Sequence, residues 1–80
     1  MAFDEEDRVR TTRSLAGESL FGGSVAVAAG ERGVVVEVFC DAYDVEFVRR
    51  RSDGGRDVFC LTIAGKDLRL DGDAPQDAMP

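Results

Sequence analysis

Apolar and polar positions alternate along most of this chain, and almost nowhere do they repeat with a helical period. Asp7-Arg8-Val9-Arg10-Thr11-Thr12 sets apolar or β-branched residues between charges, which predicts a short strand. Residues 13–32 then lose the pattern and become rich in Gly, Ser and Ala. They read as a long loop, interrupted by an extended piece at Ser24-Val25-Ala26-Val27. Residues 14–20 also allow a helix, which Gly17 weakens. Gly33-Val34-Val35-Val36-Glu37-Val38-Phe39 has the densest run of β-branched residues and predicts the firmest strand. Ala42-Tyr43-Asp44-Val45-Glu46-Phe47-Val48 alternates with period two, with Tyr43, Val45 and Phe47 on one face. The short Cys40-Asp41 link joins these two strands as a hairpin. Ser52-Asp53-Gly54-Gly55 marks a second tight turn, since Gly accepts positive φ. Asp57-Val58-Phe59-Cys60-Leu61-Thr62-Ile63 is the next strand. A tight 3₁₀-type turn at Ala64-Gly65-Lys66-Asp67 leads into a last strand, Leu68-Arg69-Leu70.

About five short strands joined by tight turns predict an all-β fold, a small antiparallel barrel with a long first loop. Closure removes the exposed edges of so small a sheet. The expected core is Val9, Val36, Val38, Tyr43, Val45, Phe47, Phe59, Leu61, Ile63 and Leu68. Residues 1–6 read as an acidic N-terminal tail, residues 7–70 as the barrel, and residues 71–80 as a flexible acidic C-terminal tail.

Several of these motifs carry a family likeness. Gly30-Glu31-Arg32-Gly33-Val34-Val35-Val36-Glu37-Val38 resembles the opening of KOW-type segments, in which two glycines three apart make a turn before a valine-rich strand. With Tyr43-Asp44-Val45-Glu46-Phe47, Leu61-Thr62-Ile63 and Leu68-Arg69-Leu70, it resembles a family of short bacterial proteins of unknown function with SH3-like barrels. That resemblance implies a five-stranded SH3-like barrel. It also implies an accessory role, because some relatives accompany toxin-like proteins in the manner of an antitoxin or immunity partner. Two departures are individual to this chain: the inserted Ser19-Leu20-Phe21-Gly22-Gly23 and the run Arg49-Arg50-Arg51. Arg8-Val9-Arg10 with the later Gly-x-x-Gly-x-Val is also similar to the SH3-like domains of nitrile hydratase β subunits and of the ferredoxin–thioredoxin reductase variable chain. In both, the barrel is a non-catalytic partner of another subunit.

Charge changes the picture of partners. The chain has 16 acidic and 10 basic residues, a formal net charge of −6. Residues 33–70 are close to neutral, so the ends carry the excess. Phosphate neutralisation by Lys and Arg supplies most non-specific nucleic-acid affinity, which makes an acidic chain a poor default binder. The acidic start is unlike a secretory signal, and no apolar run reaches transmembrane length. The expected location is the cytoplasm, with Cys40 and Cys60 as free, buried or half-buried thiols; a single disulfide is the alternative.

Catalytic chemistry finds little to use. The chain has no His, which removes the usual general base near neutral pH, the Ser-His and Cys-His arrangements, and mixed zinc sites. Asp44 and Glu46 share a strand face and read as its solvated side. Gly30-x-x-Gly33 lacks the Lys-Ser/Thr and the helix of a phosphate loop. Residues 41–44 lack the oxygen density of a calcium loop. No enzyme, cofactor or metal site is expected.

Two features remain as candidate contact sites. Arg49, Arg50, Arg51 and Arg56 flank the Ser52–Gly55 turn. They read either as a solvated hairpin or as a basic knob gathered by twist, suited to an acidic surface or to phosphates. Leu20 and Phe21 read either as a cap on the open end of the barrel or as an exposed anchor for a partner. The expected function is a non-catalytic protein-interaction module, monomeric or a small homo-oligomer, whose partner is another polypeptide encoded nearby. The alternative is a KOW-like RNA or nucleic-acid contact through the arginine hairpin.

Overall fold

A computed structural model describes residues 2–71. It is all-β with antiparallel pairing throughout. The strands are β1 (Arg8–Thr11), β2 (Leu15–Glu18), β3 (Ser24–Val27), β4 (Arg32–Val38), β5 (Ala42–Arg50), β6 (Arg56–Ala64) and β7 (Leu68–Leu70). A 3₁₀ turn at Gly65–Asp67 separates β6 from β7, as the sequence predicts. Five strands form one sheet in the order β6-β5-β4-β1-β7, and β2 with β3 forms a second, two-stranded sheet.

One face of the large sheet carries the core. Val9, Val35, Tyr43, Val45, Phe47, Phe59, Leu61, Ile63 and Leu68 are all buried there, with Val27 added from β3. Val45 lies opposite both Val35 and Leu61, and Phe47 stacks on Phe59 with ring centroids 5.3 Å apart. Gly33 sits inside this face, opposite Val9. A Cβ there would come within 2.5 Å of Val45 Cγ1 and 3.0 Å of the Phe47 ring, so the core reaches the backbone itself.

The expected core positions Val36 and Val38 are corrected. The β4–β5 register shifts between Val35 and Glu37, so Val36 is the extra residue of a β-bulge. Strict alternation through a valine run cannot locate such a bulge, because every phase of the run is equally apolar. Val35 therefore takes the core position, and Val36 and Val38 remain 42% and 41% exposed. Phe3, within the stretch read as an acidic tail, is also in the core. Its ring meets Tyr43 edge-on at 5.1 Å, and its N–H donates to the Tyr43 hydroxyl. Asp44 is a further correction: instead of facing solvent it is buried, accepting a hydrogen bond from Thr62 Oγ1.

The long first loop is largely a hairpin. The extended piece at Ser24–Val27 is β3, and residues 15–18 form β2 rather than a helical turn. The cause is pairing: β2 meets β3 in register from Leu15↔Val27 to Glu18↔Ser24. This hairpin lies beside β6, with a groove of about 210 Å³ between Leu15–Glu18 and residues 61–64. Its base is tied down by Thr12 N–H to Asp67 O at 2.8 Å and by the Arg13–Asp67 ion pair at 3.0 Å. The remaining tail residues, 72–80, lie outside the described residues.

Candidate functional site

The β2–β3 turn is built around Ser19. Its side chain is buried, and Oγ accepts from two backbone N–H groups, those of Phe21 at 3.1 Å and Cys60 at 3.2 Å. Leu20 N–H donates to Cys60 O at 2.8 Å, so the turn is hooked to the outer edge of β6. Within the turn, Ser19 N–H reaches Gly23 O and Gly22 N–H reaches Ser19 O. Gly22 and Gly23 take φ of 101° and 88°, a conformation that suits glycine. The result is a fixed pedestal under two apolar side chains. Leu20 is 57% and Phe21 63% exposed, so Phe21 does not cap the core. Ser19 is the residue the sequence analysis missed as the organiser; its one sequence signal is a hydroxyl directly before an apolar pair and two glycines.

The four hairpin arginines separate into two kinds. Arg49 lies over the Phe59 ring at 4.9 Å, donates to Ala26 O, and pairs with Glu31 at 3.0 Å. It therefore joins the β5–β6 ribbon to β3. Arg51 pairs with Asp53 at 3.2 Å and Asp57 at 2.8 Å. Those contacts, that to Asp57 first, raise the Arg51 pKa. The Gly55 N–H, and then Arg51, hold the Asp53 carboxyl below its usual range. Arg50 and Arg56 stand opposite each other in register, exposed, with no ion pair among the described residues. Alternation along β5 puts them on the face away from Arg49 and Arg51, so the four do not gather into one knob.

Cys40 and Cys60 are free thiols, and Cys40 is exposed rather than buried or half-buried. Burial, assisted by the Asp44 and Glu46 carboxylates, pushes the Cys60 thiol up to about 11. No cluster of three or more His, Cys, Asp or Glu among the described residues is placed to hold a metal. No helix among them is long and apolar enough to cross a membrane. No protein-family model, curated protein or solved structure matches this chain.

Proposed function

We propose that this chain is a non-catalytic protein-interaction module, an accessory or antitoxin-like partner of another polypeptide in the cytoplasm. The observation that carries the reading is the Leu20–Phe21 pair, exposed on a turn that Ser19 fixes to β6. An aromatic and an aliphatic side chain on a turn whose backbone is fixed before binding spare a partner the cost of ordering that turn, and such anchors dominate interface energetics. The architecture in this reading is an SH3-like barrel. Its support is the hook from Ser19 and Leu20 to Cys60, which brings the small sheet onto the β6 edge of the large one. Against a nucleic-acid contact through the hairpin stands the engagement of Arg49 and Arg51 by Glu31, Asp53 and Asp57, which leaves two of the four arginines for phosphate.

The test compares the wild-type chain with a Leu20→Ser/Phe21→Ser variant as bait in extract of the native host, followed by reconstitution from purified components. The wild type is expected to retain one polypeptide stoichiometrically, to bind it again when both are pure, and to lose it in the variant at unchanged melting temperature. Equal recovery by both baits, or no retained polypeptide, contradicts the proposal.

A further inference from the structure

The large sheet has a second face, and its charge is unlike that of the chain as a whole. With Val9, Val35, Val45 and Phe59 turned to the core, alternation sends the intervening residues to the opposite face, where Asp44 and Cys60 are buried and the arginines and valines are exposed or half-buried. Arg69, Arg10 and Arg32 then stand side by side across β7, β1 and β4, as direct Cα partners. Like charges opposite one another on a sheet destabilise it. One carboxylate is seen to answer the row: Asp71 reaches Arg10 Nε at 2.6 Å and Arg32 Nε at 3.6 Å. Arg8 follows on β1, and Arg50 faces Arg56 at the far end of β5 and β6. Arg8, Arg50, Arg56 and Arg69 make no ion pair among the described residues. By contrast Arg13, Arg49 and Arg51, which serve the hairpins, each hold a carboxylate at 2.8–3.0 Å. Six of the ten basic residues of an acidic chain thus share one outward face.

Apolar surface runs through the same face. Val34 and Val48 line a groove of about 240 Å³ together with Arg8, Arg32, Glu46 and Asp71. Val48 continues to Val58 across the β5–β6 ladder, and both are about half exposed. The groove is lined by aliphatic and charged side chains and by no aromatic ring. A base entering the groove between Val34 and Val48 would find no ring to stack on.

We infer that the outward face of the five-stranded sheet docks an acidic polypeptide segment that carries aliphatic side chains. Its carboxylates meet Arg8, Arg32 and Arg69, whose forks suit carboxylate geometry. An aliphatic side chain enters the Val34–Val48 groove. This inference rests on the reading of the chain as a protein-interaction module, but it uses a face separate from Leu20 and Phe21.

The experiment is an NMR titration of the full ¹⁵N-labelled chain with a capped hexapeptide alternating Glu and Leu, and in parallel with an oligothymidylate. Saturable shifts are expected at Arg8, Arg32, Val34 and Val48, weakening as salt rises. Arg32→Gln and Arg69→Gln should each weaken the peptide by about two- to fivefold without lowering the melting temperature. Val48→Ser should weaken it as well. Leu20→Ser/Phe21→Ser should leave it unchanged, which separates this face from the anchor turn. Absent shifts, shifts centred on residues 19–23, arginine variants of undiminished affinity, or tighter binding of the oligothymidylate would each overturn the inference.

Discussion

The β5–β6 and β2–β3 hairpins share the same ladder chemistry and are held by different means. β5 and β6 run nine residues each, pair without a break from Ala42↔Ala64 to Arg50↔Arg56, and bury six side chains of the main core between them, Tyr43, Val45, Phe47, Phe59, Leu61 and Ile63. β2 and β3 run four residues each, and of their apolar residues Val27 alone is fully buried. Burial secures the first hairpin. The second depends on polar ties at both ends, Arg13–Asp67 and Thr12–Asp67 at its base and Ser19–Cys60 at its tip. A short hairpin held by discrete bonds can present apolar side chains to solvent, because it does not need them for its own stability.

The comparison breaks first at Phe47. It is 1% exposed and stacked on Phe59, so Phe47→Ala should cost about 3–5 kcal/mol and lower the denaturation midpoint of the whole domain. Ser19→Ala strikes the other hairpin. It removes one acceptor from two N–H groups, those of Cys60 and Phe21, at a cost of about 1–3 kcal/mol. Hydrogen exchange should accelerate at Phe21 and Cys60 while the centre of the β4–β5 ladder keeps its protection. Uniform acceleration would mean that the hook is part of the main cooperative unit.

Thiol labelling sharpens the same point. Cys40 is exposed and Cys60 is buried with its pKa near 11, so a thiol reagent at pH 8 should modify Cys40 rapidly and Cys60 slowly. Ser19→Ala should speed Cys60 alone. Acid tests the base of the hairpin. Hydrogen bonding from Arg13 holds the Asp67 carboxyl below its ordinary range. The tie is therefore complete above the unfolded Asp pKa of about 4 and is lost as pH falls below it toward the lowered folded value. The difference in melting temperature between wild type and Asp67→Asn should be constant near neutrality and shrink in that acid window.

The same contrast explains what could be read in the sequence. Tyr43, Val45 and Phe47 alternate against a polar face, so β5 and its turn to β6 were legible from pattern alone. The valine run of β4 was not, because Val34, Val35 and Val36 give no polar mark by which to place a bulge. β2 was hidden because Ala16 and Gly17 have weak strand character, and pairing with β3 decides their conformation. Leu20 and Phe21 stood out as an insertion, while the serine that fixes them did not, since its two hydrogen bonds include one to Cys60, 41 residues away. The arginine run drew the eye to Arg49 and Arg51, which the fold uses for its own ion pairs. The row of Arg69, Arg10 and Arg32 is dispersed along the chain and assembled by sheet register.

The most direct test of the protein-interaction reading is site-specific photo-cross-linking in the native host. A benzophenone amino acid in place of Phe21 is compared with the same group at Ala16, an exposed residue of the same hairpin. Replacing an exposed Phe21 should change stability by no more than about 0.5 kcal/mol, so folding does not confuse the result. The account predicts one discrete cross-linked polypeptide from position 21 and none from position 16. The absence of any adduct from position 21, or the same diffuse set of adducts from both positions, would contradict it.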